Sequence, residues 1–418
     1  MTVLAGSLRA VTVESIAIDD PGSLVALLEP LHPLAFMRGG DGIVGIGEAL
    51  RLEFSGPSRF TDAAAAWAAI AESATVLDPI AVAGSGLVAF GSFAFADGSP
   101  ATSVLVIPAV LVGRRDGRCW VTRAAPSAEP VAPHYDTLVP GIAPPGTFFS
   151  ANLTPGTMSP PVFTDAVREV IELIRTGVAS KVVIARDLVG DLPAKADLRL
   201  PIGRLAAAYP DTFTFAVDGL IGSSPETLVR VSAGTVTARV LAGTSARGAD
   251  DAADSAAEAE ILTSTKDLAE HEFALASVLA ALEPHSSDLT ANDAPFALAL
   301  PNLWHLASDV TGTLTDGSGS LDLVAALHPT AAVAGFPTAA ALSAIAELEL
   351  FDRGRYAGPV GWVDARGDGE WAVALRCAQV TGDTVTAYAG AGIVADSDPE
   401  RELAETALKF LPIAGAFG

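Results

Sequence analysis

Apolar residues recur along this chain with two periods, one helical and one extended. In FTDAVREVIELIRTG (163–177) the apolar positions 167, 170, 171 and 174 lie three or four apart and Gly177 follows them, which predicts an amphipathic helix. STKDLAEHEFALASVLAAL (264–282) predicts a longer one, with Ser264 as N-cap and Leu268, Leu275, Leu279 and Leu282 as its buried stripe. SLVALLEPL (23–31) and FTDAAAAWAAIAES (60–73) also read as helical. Near the C-terminus Asp398 precedes Pro399, a capping side chain followed by a residue preset for the first helical position. On the helix they open, Glu402, Glu405 and Lys409 share one face.

Alternation marks the strands. LVAFGSFAFA (87–96) and SVLVIPAVLVG (103–113) each read as one strand, the second buried. DTFTFAVDGLIGSSPETLVRV (211–231) reads as a hairpin about Asp218-Gly219, after which Pro225 fixes the approach to Glu226. Between turns at 367–369 and 381–383, Trp371, Val373, Leu375 and Cys377 alternate with Ala372, Ala374, Arg376 and Ala378. Arg376 then stands alone on an alanine face, with room to hold a carboxylate through both guanidinium nitrogens. The next strand, 384–388, runs into Gly390-Ala391-Gly392, where missing side chains let main-chain N–H groups approach such an anion. VTARVLAGTSARG (236–248) predicts a strand ending in a glycine-containing loop that leaves Thr244, after Gly243, exposed as a donor. Lys181 opens the strand SKVVIARDL on the face of Val183 and Ala185; the ordinary reading is a surface lysine with its stem along apolar neighbours. His305, between Trp304 and Leu306, reads as a core histidine. Residues 125–160 are proline-rich and form a connecting segment.

Composition narrows the function. At 418 residues and 50% hydrophobic the chain has material for one large domain or two ordinary ones. No apolar run reaches the roughly 18 residues of a spanning helix, and MTVLAGSLRAVTVES lacks the pattern of a signal peptide, so the expectation is a cytoplasmic protein with no membrane partner. Cys119 and Cys377 make neither a disulfide framework nor a metal cluster. A net charge of −24 argues against nucleic acid as a partner. An anionic ligand would therefore need local positive charge from Lys181, Arg376, Lys409 or a metal ion. Asp267 and Glu270, with His271, either suit the dipole at the start of their helix or form half a metal site completed by Glu402 and Glu405. Carboxylate oxygens without cysteine favour a hard cation, magnesium first.

The blocks SKVVIAR, GSSPETL, LAGTSARG, STKDLAEH, LHPTAAVAG, FDRGRYAGPVGW, ALRC, YAGAGIV and SDPERELAETALK, in this order over about 155–415, resemble the chorismate-utilising enzymes. That family includes isochorismate, salicylate, anthranilate and aminodeoxychorismate synthases. The resemblance implies an α+β fold: two large antiparallel β-sheets packed as a sandwich, helices outside. It implies an N-terminal part (1–150) completing the sandwich, and a catalytic region (155–418) that binds chorismate with Mg²⁺. Lys181 matches the position where water-adding members carry lysine and ammonia-using ones glutamine. It would activate water to attack C2, and Glu226 would protonate the departing C4 hydroxyl. Glu270 and Glu405 match the metal ligands, with Asp267 and Glu402 holding metal-bound waters. Arg376 and Tyr356 match contacts to the enolpyruvyl carboxylate; Gly243, Thr244, His305, Gly390, Gly392 and Lys409 match other pocket positions. The chain differs from the family at Ala331, Ala334 and Ser245, where proline, glycine and arginine are frequent. Most similar is the isochorismate synthase branch, acting as a monomer and feeding menaquinone or siderophore synthesis. The alternatives are salicylate synthase, which goes on to expel pyruvate, and a non-catalytic acidic protein that binds cations.

Overall fold

The computed structural model describes residues 10–126, 144, 146–300 and 303–418. Parts of two sequence readings, the N-terminal nine residues and most of the proline-rich connection, lie outside them.

Two large sheets face each other in an α+β sandwich. Among the described residues one has 13 strands and the other 10. Every pairing among the described residues is antiparallel except that of Val11–Ile18 with Thr75–Leu77. In the first sheet the strands from residues 11–126 form one half and those from 154–393 the other, joined where Leu34–Arg38 pairs with Phe213–Val217, and the second sheet also draws on both stretches. Phe36, Trp120 and Phe215 from the first sheet meet Phe90, Val229, Trp362 and Trp371 from the second in the main core. On the outer face of the first sheet Ala216, Ile221 and Ala387 lie under Ile202, Leu205, Phe410 and Ile413 of helices Arg199–Ala208 and Pro399–Phe417. The alternation of Phe215 and Ala216 between these two cores is the period of two made visible.

Helices Pro160–Arg175 and Arg59–Ser73 form where the pattern places them, and Ser264 caps Thr265–Leu282 by accepting from the Asp267 N–H. The buried stripe of that last helix is His271, Ala274, Val278 and Leu282, while Leu268, Leu275 and Leu279 are only partly covered. SLVALLEPL supplies no α-helix, only the 3₁₀ turn Leu24–Leu27, because Pro30 pushes the residue before it out of helical geometry. The 87–96 strand stops at Ser92. SVLVIPAVLVG is two strands, Ser103–Ile107 and Val110–Arg115, in different sheets; Pro108, lacking an N–H, marks the crossing.

The strand that opens with Lys181, Lys181–Asp191, is anchored from below by a buried ion pair. Arg353 donates to both Glu349 oxygens at 2.6 and 2.9 Å and to the Val183 and Val333 carbonyls, and Glu349 accepts from the Ala185 N–H at 2.8 Å. With both side chains at most 2% exposed, Arg353→Met leaves the Glu349 carboxylate buried and uncompensated. The expected loss is about 3–5 kcal/mol in a urea titration. Adding Glu349→Leu should recover part of it.

Candidate active site

Two chain crossings between the sheets lie side by side, and the candidate groups project from them. Strand Leu220–Ser224 is in the first sheet and Thr227–Ser232 in the second, so Pro225 and Glu226 bridge the layers. Gly369–Val373 is in the second sheet and Cys377–Thr381 in the first. The predicted single strand 371–378 is therefore broken, and Arg376 stands at the break with φ 47° rather than on a flat alanine face. Alternation survives the break, which is why the sequence hid it. Hydrogen bonds lock the crossings together: Ser223 N–H donates to the Arg376 carbonyl at 3.1 Å, Val373 N–H to the Glu226 carbonyl at 3.1 Å and Ser224 Oγ to the Val373 carbonyl at 2.6 Å.

These crossings close one end of a cavity with about 100 Å³ open to the centres of water-sized molecules. Lys181, Glu226, Gly243, Thr244, Asp267, Glu270, His305, Arg376, Gly390, Gly392, Glu402, Glu405 and Lys409 all line it. Of the proposed site residues Tyr356 alone stands behind the wall: a Cβ built on Gly390 would lie 3.0 Å from its hydroxyl. The walls also include Val183, Leu241, Ala332 and Leu375, which carry no chemistry that would single them out in the sequence. His271, weighed as a ligand, points elsewhere; it is buried with Nε2 2.8 Å from Ser308 Oγ.

Lys181 is no surface group. It is 5% exposed and donates to Glu270 Oε1 at 2.6 Å. Lys409 donates to Glu405 Oε1 at 2.5 Å and to the Gly390 carbonyl at 2.9 Å. Asp398 caps the helix of Glu402, Glu405 and Lys409 by accepting from the N–H groups of Glu400 and Arg401, and Ser397 Oγ donates to Glu402 at 2.7 Å. Gly390 and Gly392 belong to a strand, Thr384–Ile393, not to a loop. Opposite them, Val183 and Ala185 donate away from this pairing, to Ala334 and Glu349. In an antiparallel ladder that places the main-chain groups of Gly390 and Gly392 on the cavity side. Gly243, at φ 82°, is likewise a bulge within the strand Thr235–Ala246, not its end.

Burial sets the protonation states. It pushes the Glu226 carboxyl up to about 7, against the pull of Lys181, Arg376 and Lys409. Burial, then Arg376 and Lys409, push His305 down to about 3, so its ring is neutral. Because the Gly243 carbonyl, 3.1 Å from Nδ1, can only accept, Nδ1 carries the hydrogen; Thr244 Oγ1 lies at 3.1 Å from the same atom. Nε2 is then an acceptor, buried and without a partner among the described residues.

A family model described as "Chorismate binding enzyme" matches residues 35–418. The chain belongs to the chorismate-binding enzymes. Isochorismate synthase DhbC of Bacillus subtilis (strain 168) is 40% identical to this chorismate-binding enzyme over 271 residues, 62% of this chain and 68% of its own length. Isochorismate synthase EntC of Escherichia coli (strain K12) is 38% identical over 261 residues, 61% and 67% of the two chains. The solved structure of MenF, the menaquinone-specific isochorismate synthase from Escherichia coli, matches with a TM-score of 0.80 at 24% identity over 98% of this chain and 95% of that one. At that identity it speaks for the fold. No helix among the described residues is long and apolar enough to cross a membrane.

The donor set of this chorismate-binding enzyme suits a hard divalent cation. Asp267, Glu270, Glu402 and Glu405 set four carboxylates against the cations Lys181, Arg376 and Lys409 in one cavity. A substrate carrying two carboxylates adds two negative charges. Magnesium typically takes one or two protein carboxylates and fills its shell with water and substrate oxygens. Among the described residues no three acidic or imidazole groups converge as a complete cage, which such an open site does not need.

Proposed function

We propose that the protein is an isochorismate synthase, a Mg²⁺-dependent isomerase that converts chorismate to isochorismate, working as a cytoplasmic monomer. The observation that carries this reading is a buried amine and a buried carboxyl of raised pKa lining one cavity with Arg376 and Lys409. Glu270 and Glu405 would hold the cation, with Asp267 and Glu402 holding its waters; bound there, it neutralises the substrate's ring carboxylate. A cation on Glu270 competes with Lys181 for that carboxylate. Arg376, and Tyr356 reaching past the bare Gly390, take the enolpyruvyl carboxylate. Lys181 removes a proton from the attacking water, whose oxygen bonds to C2. The ring double bonds shift and the C4–O bond breaks as Glu226 gives its proton to the leaving hydroxyl. Gly243, Thr244 and Lys409 shape the remaining pocket wall, and the His305 Nε2 acceptor takes a hydrogen bond from a ring hydroxyl.

Incubation with chorismate and Mg²⁺, followed by chromatography, tests this. Isochorismate is expected. Salicylate with pyruvate would replace the reading by salicylate synthase, and cation binding without turnover would favour the non-catalytic alternative.

Gly392→Ala probes the geometry separately. A Cβ there would lie 2.9 Å from Lys181 Cε and 3.2 Å from Glu270 Oε1, so the flexible lysine must shift while the backbone stays put. The expected result is a kcat lower by roughly tenfold with a melting temperature close to that of the parent, since a misplaced catalytic group costs rate before it costs fold.

A further inference from the structure

The second sheet is split beside Glu226. Among the described residues, strands Thr227–Ser232 and Thr235–Ala246 pair only through Arg230–Thr237, Val231–Val236 and Ser232–Thr235. The first strand is also paired with Gly369–Val373, from Val231 to Thr227 with a register shift between Thr227 and Val229, while the second continues alongside Leu303–Leu314. The opening contains a small chamber with about 10 Å³ for a water centre, at the lower limit for a single molecule.

Glu226 and Ala332 line both this chamber and the active-site cavity. On its other side the chamber shares Thr227, Ala238 and Arg239 with a groove of about 470 Å³ on the outer face of the sheet. Arg239 is held there by Asp309, at 2.6 and 2.9 Å. Inside the chamber Thr330 is 6% exposed, and its Oγ1 is buried without a hydrogen-bond partner among the described residues. No hydrogen bond or ion pair among the described residues engages the Glu226 carboxyl, which lines the same space. Leu228, Val240, Ala274 and Val278 make most of the chamber wall apolar, so Thr330 and Glu226 are among the few groups a water there could bond to; a buried hydroxyl left unpaired is destabilising, and an internal water bonded to it is the usual remedy.

We propose that this chamber holds one water molecule between Thr330 and Glu226, and that this water returns a proton to Glu226 after each turnover. The inference rests on the isochorismate synthase reading. In that reaction Lys181 gains a proton from the attacking water and Glu226 loses one to the departing hydroxyl. Water enters and water leaves, so no proton is consumed overall, but the two groups end each cycle in exchanged states. Lys181 releases its proton towards the substrate mouth. Glu226 regains one when an O–H bond of the chamber water breaks as the carboxyl O–H forms, and that water is reprotonated by solvent in the outer groove. Thr330 is a positioning residue: it touches the water, not the substrate.

Two measurements decide it. A crystal structure of the wild-type protein showing ordered solvent is expected to contain one water within hydrogen-bond reach of Thr330 Oγ1 and the Glu226 carboxyl; a dry chamber overturns the proposal. In steady-state assays Thr330→Val, which keeps the shape and removes the hydroxyl, should lower kcat about tenfold with the KM for chorismate unchanged, less than the roughly 10²–10⁴-fold that the positioned acid itself supplies. Thr330→Ser should restore kcat to within about twofold of wild type, since it keeps the donor the relay needs. An unchanged kcat in Thr330→Val, or a serine variant as slow as the valine one, overturns it. Absence of chorismate turnover in the wild type would defeat the functional reading instead, and the solvent density would still decide the chamber.

Discussion

Lys181→Ala is expected to lower kcat for isochorismate formation by roughly 10³-fold or more, within the range lost when a positioned acid or base is deleted. The amine stands at the first residue of its strand, 5% exposed, in a wall built from Val183, Gly390 and Gly392. Another residue would have to occupy this spot to remove the proton from the attacking water. The cavity's other cations do not qualify: Lys409 is held by Glu405 and the Gly390 carbonyl, and Arg376 stays protonated at any working pH. The substitution also removes the lysine partner of Glu270, so the variant should bind Mg²⁺ at least as well as the parent in calorimetry while failing to turn over. Wild-type turnover by the alanine variant would remove the lysine from the mechanism.

Local signals make part of this site legible in the sequence. Asp398 and Pro399 fix where the last helix starts, and helical spacing then puts Glu402, Glu405 and Lys409 on one face. Ser264 does the same for Asp267 and Glu270. What local pattern does not reveal is which face of which strand meets which partner. Arg376 continues an unbroken alternation, so nothing local announces that the chain leaves one sheet for the other there at positive φ. Glu226 follows a proline that reads equally well as an ordinary turn. Their meeting depends on hydrogen bonds between residues about 150 positions apart, such as that of Ser224 with the Val373 carbonyl. The glycines mislead for a related reason. Gly243 and Gly390 look like loop residues, yet both lie inside strands, where a missing side chain serves the cavity rather than a turn.

Glu226→Gln should lose roughly 10²–10⁴-fold in kcat and gain stability at alkaline pH, two effects with one cause. Burial holds the carboxyl at about 7 in the folded protein against an ordinary 4.5, although Lys181 from its strand, Arg376 from the neighbouring crossing and Lys409 from the last helix all pull the other way. The folded state therefore keeps a proton that the unfolded chain releases near pH 4.5. Stability from this group is fully present below pH 4.5 and is lost as pH rises through about 7. The difference corresponds to about 3 kcal/mol. The amide cannot ionise, so in urea titrations the variant should be more stable than the parent by up to about 3 kcal/mol at pH 8, with the gain vanishing towards pH 4.5. Catalysis runs in the same window. An acid that must be protonated to act makes the wild-type kcat/KM fall as pH rises through about 7, and the residual rate of the variant should lack that limb. A parent whose stability does not respond to pH between 5 and 8 while the variant's does would show that another group titrates there. The carboxyl is thus retained at the expense of folding stability, as expected of a group whose value lies in holding a proton near neutral pH until the leaving hydroxyl takes it.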